Sequence, residues 1–154
     1  MSNNKYKAVV IGCGKIGAEE WSYQKNIRPA THAAAYWSHP KIKLVGLCDI
    51  NPEKLKKAGK FFGGTPLYFS AKKMLKEQRP DIVSVATHQD SHYKFVKMAA
   101  GFGAKAIICE KPMADSIKEA QAMIEISKQK KYLLFINHSR HFDHLLGQWQ
   151  AKVK

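Results

Sequence analysis

The sequence predicts an α/β fold, a doubly wound parallel sheet in a single domain, and three observations predict it. Short runs that are apolar nearly throughout recur along the chain, as strands buried on both faces of a parallel sheet require. Stretches with helical end signals separate them, so strand and helix alternate and imply right-handed crossovers. A length of 154 residues suits one such domain with a real core.

The first strand candidate is Ala8–Ile11, and glycines follow it at once. Gly12, Gly14 and Gly17 have the GxGxxG spacing, in which the first makes a tight turn, the second admits a pyrophosphate and the third lets helix pack on strand. The amides around Lys15 and Ile16 then lie at a helix N-terminus, where free N–H groups favour phosphate. The same spacing also serves a purely structural turn. Pro29 interrupts the helix that follows, and Thr31 can cap a second piece.

"KLVGLCD" is the second strand candidate. In "INPEKLKKAGKFFGG", Asn51 is a candidate N-cap, Pro52 takes the first helical position and Gly63 lies just past the end. "TPLYFS" reads as a short strand, and Ser70 caps "AKKMLKEQ", which halts before Pro80. "DIVSVAT" is a strand, followed by a helix over 91–100 and the turn "GFG". After the strand "AKAIICE", Ser116 and Glu119 fit a capping box, with Ile117, Ala120 and Ile124 on one helical face. "YLLFIN" closes the series.

Ligands of such sheets bind outside the carboxyl ends of the strands. That edge holds Gly12 to Gly17, Asp49, Thr87 to His92, Glu110 to Pro112 and Asn137 to His141. A carboxylate at the end of the second strand accepts both hydroxyls of an adenosine ribose and repels a 2'-phosphate, so Asp49 favours NAD. Lys54 or Lys56 keeps NADP open. Asp49 lies 32 residues after Gly17, beyond the spacing of about 20 in the usual fingerprint. "EEWSYQKNIRPATH" accounts for the excess, either as an ordinary surface loop or as a segment reaching over the ligand.

Lys and Arg outnumber Asp and Glu to give a formal net charge of +14, a footprint shared with nucleic-acid binders. Seven lysines between Lys54 and Lys76 are spaced through helices, and no zinc-finger, RNP-like or basic heptad pattern accompanies them. Solvated helix faces are therefore preferred over a nucleic-acid site. No apolar run approaches the roughly 20 residues of a membrane span. The start, "MSNNKYK", lacks a signal-peptide pattern. Cys13, Cys48 and Cys109 have no CxxC spacing and are odd in number, which together makes the cytoplasm the expected compartment. Cys109 reads as a small buried hydrophobe rather than a nucleophile. Trp21, Tyr36 and Trp37 read as packing. His138, His141, Asp143 and His144 lie close together but lack a second ligand group at known spacing, so no metal is expected.

Three stretches, "VVIGCGKIG", "LVGLCDINPEK" and "AKAIICEKPMADS", together resemble the Gfo/Idh/MocA family of NAD(P)-dependent oxidoreductases over about Tyr6 to Asp143. The resemblance implies a Rossmann fold. It matches Gly12, Gly14, Lys15, Ile16 and Gly17 to the pyrophosphate turn and Asp49 to the adenosine-ribose acid. Thr87 and His92 match the ends of the family's "TPNxxH" segment, which lines the dinucleotide; here it reads "THQDSH", so contacts of the replaced Pro and Asn are not carried to His88 and Gln89. Glu110 matches the nicotinamide-ribose residue, Lys111 the lysine facing substrate, and Pro112 a proline often preceded by a cis peptide. "NHSRHFD" resembles the segment leading out of the cofactor domain, with Arg140 near the nicotinamide end.

Hydride transfer from a carbinol requires its hydroxyl proton to leave, and a positioned cation or base near that oxygen lowers the barrier. Lys111 at a strand end suits that work; the bland alternatives are a Glu110–Lys111 surface ion pair and Pro112 as a strand terminator. Family members carry a second, substrate-binding domain. The expected organisation is thus a dinucleotide-binding domain over 1–137 and, over 138–154, the start of a connection towards an absent substrate domain, the sequence being a fragment or a shortened protein. The expected activity is hydride transfer between NAD, or NADP, and a sugar, polyol or related hydroxy compound. A non-catalytic NAD-binding regulatory module is the alternative, and a homo-oligomer of a full-length form is open.

Overall fold

A computed structural model describes residues 5–19 and 31–138. Six strands, β1 (Tyr6–Ile11), β2 (Ile42–Cys48), β3 (Leu67–Tyr68), β4 (Ile82–Val85), β5 (Ala106–Glu110) and β6 (Leu133–Asn137), form one sheet in the order β3-β2-β1-β4-β5-β6. Every pairing is parallel. The order reverses between β1 and β4, which opens a crevice beside the end of β1. Among the described residues five α-helices connect the strands: α1 (His32–Ser38), α2 (Pro52–Phe61), α3 (Ala71–Gln78), α4 (His92–Gly101) and α5 (Ile117–Lys130).

Alternation along the strands builds two cores. Val9, Ile11, Val83, Val85, Ile107 and Cys109 face Met74 and Leu75 of α3, Val96 and Ala99 of α4 and Met123 of α5. Ala8, Val10, Leu44 and Leu47 face Ala33 and Tyr36 of α1 and Leu55 and Ala58 of α2. Burial on both faces explains why β1 reads as an uninterrupted apolar run.

The expected N-caps form. Asn51 Oδ1 accepts from the amides of Glu53 and Lys54, Ser70 Oγ from Lys73 and Ser116 Oγ from Glu119. At the far end of α2 Phe62 takes the C-cap and Gly63 lies just past it, as expected, with a positive φ of +80° at the following Gly64.

Two expectations change. On α5 the face expected from Ile117, Ala120 and Ile124 is not the one that packs: Ile117 is 79% exposed and Ile124 42%, while Met123 is fully buried. Apolar residues surround much of this helix, so periodicity could not choose an arc; the sheet chose the one centred on Met123. The second change concerns the helix expected directly after the glycines. There the chain makes a single turn, with the amides of Gly17 and Ala18 both donating to the Gly14 carbonyl at 3.0 Å. The ladder then resumes out of sequence. His32 N–H donates to the Ile16 carbonyl and Ala33 N–H to that of Gly17, the bonds residues 20 and 21 would make in an unbroken helix. Thr31 caps the resumed piece, its side chain accepting from Ala34. The excursion therefore adds twelve residues, and subtracting these from the spacing of 32 between Gly17 and Asp49 restores the 20 of the fingerprint.

Candidate cofactor site

At the carboxyl edge of the sheet the three glycines are not equivalent. Gly12 has φ +98°, and a Cβ there would lie 2.4 Å from the Ala86 carbonyl oxygen at the end of β4. A Cβ on Gly17 would lie 1.9 Å from the Gly12 carbonyl oxygen. Both absences are demanded by the protein's own backbone. Around Gly14, by contrast, the nearest atom to an added Cβ is Lys54 Nζ, 4.0 Å away at the end of a flexible side chain. The space above Gly14 is open, and its missing side chain leaves room for something other than protein. Lys15 and Ile16 beside it are exposed, and their amides carry no hydrogen bond among the described residues.

A pocket at this turn is lined by Gly14, Lys15, Lys54 and Lys57 together with the carboxylate-bearing Glu19. The lysine from α2 that joins Lys54 there is Lys57, not the Lys56 named from the sequence. Asp49 is tied to the same turn. Its Oδ2 accepts from the Cys13 amide at 2.7 Å and its Oδ1 from the Asn51 amide at 2.8 Å, so the acid ties the end of β2 to the glycine turn. Each oxygen keeps a further lone pair. Ile50 beside it is 87% exposed, an apolar surface that sequence reasoning did not single out.

On the far side of the crevice, Thr87 follows β4 and Glu110 ends β5. The Lys111–Pro112 peptide is cis. His92 sits at the start of α4, 1% exposed, with Nδ1 2.9 Å from the Pro112 carbonyl oxygen and Nε2 3.1 Å from that of Thr87. Its ring is thus buried between the segments that follow the two strands. Lys111 is exposed.

Glu110 heads a buried polar chain that the sequence did not disclose. Its Oε1 accepts from His32 Nε2 at 3.0 Å and from Asn137 Nδ2 at 2.6 Å. Ser84 Oγ lies 3.0 Å from His32 Nδ1 and 2.6 Å from the Tyr36 hydroxyl. Burial alone raises the Glu110 carboxyl, but the hydrogen bonds from His32 and Asn137 outweigh it and hold the group below the usual carboxylate value. Burial also pushes the Tyr36 hydroxyl up to about 12. A serine within an apolar strand and a histidine just inside a capped helix were the available signals, each uninformative alone.

Cys13, Cys48 and Cys109 are buried free thiols; burial pushes Cys48 and Cys109 up to about 12 and Cys13 well above the usual thiol range. Tyr36 is core, whereas Trp37 is half exposed with its ring edge on Phe62. Arg140, His141, Asp143, His144, Trp21 and Pro29 lie outside the described residues. Among the described residues no His, Cys, Asp and Glu cluster could hold a metal, and no helix is long and apolar enough to cross a membrane.

Strand order, reversal point, open glycine and second-strand acid define a dinucleotide-binding domain of the Rossmann type. Residues 6–138 match the family described as GFO_IDH_MocA, oxidoreductase family, NAD-binding Rossmann fold. The chain belongs to that family. It is 32% identical to the D-apiose dehydrogenase of Paraburkholderia graminis over 97% of its own length and 35% of the relative's. The myo-inositol 2-dehydrogenase of Thermotoga maritima is 25% identical over 87% of this chain and 36% of that one. An oxidoreductase from Agrobacterium radiobacter, solved in complex with NAD+, L-tartaric acid and magnesium, superposes with a TM-score of 0.72 at 27% identity, covering 87% of this chain and 35% of that chain. The chain thus spans little more than a third of the length of the curated relatives it matches.

Proposed function

We propose that this chain is the cofactor-holding part of an NAD(P)-dependent oxidoreductase that moves hydride between a nicotinamide and a hydroxyl-bearing carbon of a sugar, polyol or related compound. Gly14 carries the reading: of the three glycines it alone would clash with no protein atom if it bore a Cβ, the nearest being Lys54 Nζ at 4.0 Å. The relatives named as dehydrogenases of apiose and inositol support the substrate class. Their greater length supports residues 1–137 as the cofactor domain and 138–154 as the lead into a substrate domain. The buried free thiols fit a reducing, cytoplasmic compartment.

When bound, the nicotinamide supplies or accepts the hydride. Lys15 and Ile16 offer amides to the pyrophosphate, Gly14 lets it approach, and Gly12 and Gly17 keep the turn closed. Asp49 takes the adenosine ribose hydroxyls on its spare lone pairs, which favours NAD, while Lys54 and Lys57 give a 2'-phosphate a cationic neighbour. Ile50 offers its exposed side chain to the adenine. Thr87 and Pro112 line the groove, held by His92. Glu110 accepts from the nicotinamide ribose. Lys111, exposed on the same rim, hydrogen-bonds the substrate oxygen and carries its proton in or out as the carbon is oxidised or reduced.

Fluorescence titration with NADH and NADPH tests this. Saturable NADH binding tighter than NADPH is expected, and Asp49→Ala should weaken NADH more than NADPH. Binding of neither cofactor refutes the cofactor role, and equal losses refute the ribose role of Asp49.

A further inference from the structure

His32, Ser84 and Tyr36 serve no step of the function proposed above, yet they are buried, joined and aimed at Glu110. The donors and acceptors resolve in one consistent direction. An ionised carboxylate only accepts, so the 3.0 Å contact requires a proton on His32 Nε2. In the neutral ring Nδ1 then accepts from Ser84 Oγ–H, and Ser84 Oγ accepts in turn from the Tyr36 hydroxyl. With Asn137 as its second donor, Oε1 of Glu110 is filled. Among the described residues Oε2 receives only the Lys111 amide at 3.3 Å. One oxygen is occupied by the fold and the other is left to accept.

We propose that His32, backed by Ser84 and Tyr36, is a positioning residue that fixes the Glu110 carboxylate so that Oε2 is presented to the ribose beside the nicotinamide. The proposal rests on the reading of Glu110 as a ribose acceptor. It gives the resumed helix α1 a task at the opposite end of the crevice from the glycine turn it continues. Among the described residues the titratable groups around Glu110 are His32 from α1, Cys109 and Lys111 in its own segment and, through Ser84, Tyr36; β6 contributes the uncharged Asn137.

Two ligands separate the roles: NADH carries the ribose in question and ADP lacks it. His32→Phe should weaken NADH about tenfold and leave ADP within about twofold, the worth of a hydrogen bond to a charged group. The Glu110 carboxyl, followed by carbon NMR, should titrate at higher pH in that variant, and the acid limb of NADH binding should move up with it. His32→Gln, which keeps a donor, should restore both. Equal weakening of NADH and ADP, or an unmoved Glu110 titration, overturns the proposal. If Glu110→Ala weakens NADH and His32→Phe does not, the His32 role alone falls. If Glu110→Ala leaves NADH unchanged, the ribose assignment falls and the proposal with it. Should His32→Phe fail to fold, nitrogen shifts of the wild-type imidazole decide: a proton on Nε2 is required, and the Nδ1–H tautomer refutes the scheme.

Discussion

Gly14→Ala should separate folding from binding. The new methyl meets nothing nearer than Lys54 Nζ at 4.0 Å, and Gly14 is not among the glycines with positive φ. Alanine at such a site stabilises by about 0.4–1 kcal/mol by restricting the unfolded chain, a rise of roughly 1–4 °C in Tm for a domain of this size. Gly17→Ala must push a methyl into the Gly12 carbonyl from 1.9 Å, and Gly12→Ala combines a 2.4 Å clash with φ +98°. Each should cost about 1–3 kcal/mol or more, a fall of several degrees or a failure to fold. Binding runs the other way. The Gly14 methyl fills the approach left for the pyrophosphate, so NADH affinity should fall at least about tenfold. Thermal unfolding and NADH fluorescence on the same three variants give both readings. Wild-type NADH affinity in Gly14→Ala would refute the assignment of that space to a ligand.

Acid should loosen the rim through Glu110: its carboxyl is held below 4.5, so its contribution to stability is complete above that value and fades as pH falls through the lower folded one. Asp81, held down against its own partial burial by Lys105 at 2.8 Å and the Lys7 amide at 2.9 Å, should act with the same sign below 3.8. Urea unfolding at stepped pH should show Glu110→Gln flattening the first limb and Asp81→Asn the second. Deleting residues 20–31, which joins Glu19 to His32, should leave Tm within a few degrees because the resumed ladder is already in phase; loss of cooperative unfolding would contradict that phase. Joined to a substrate domain, Lys111→Ala should keep NADH affinity and lose turnover, as a stopped assay of NADH formation would show.

The strands were legible because burial on both faces leaves an unmistakable run, as at Ala8–Ile11. The helix caps were legible because Asn51, Ser70 and Ser116 act within three residues of themselves. What escaped depends on meetings through space. Gly14 and Gly17 look alike in sequence; only the Gly12 carbonyl tells them apart. His32, Ser84, Glu110 and Asn137 come from a helix and three strands, and no local pattern announces that they share a hydrogen-bond chain. The arc of α5 failed for the same reason, since a helix whose apolar residues are spread around its circumference leaves the choice to its neighbours.

The hydrogen bonds from His32 to Ile16 and from Ala33 to Gly17 work as a splice. On either side the helix keeps one phase, so a side chain beyond the seam points where it would with the excursion removed. Chain length is therefore a free variable at this one point on the rim. The distances from the glycine turn to Asp49 and across to Glu110 are insulated from it. Selection or a designer can rewrite the excursion, in length or in chemistry, without disturbing the register of the sheet beneath.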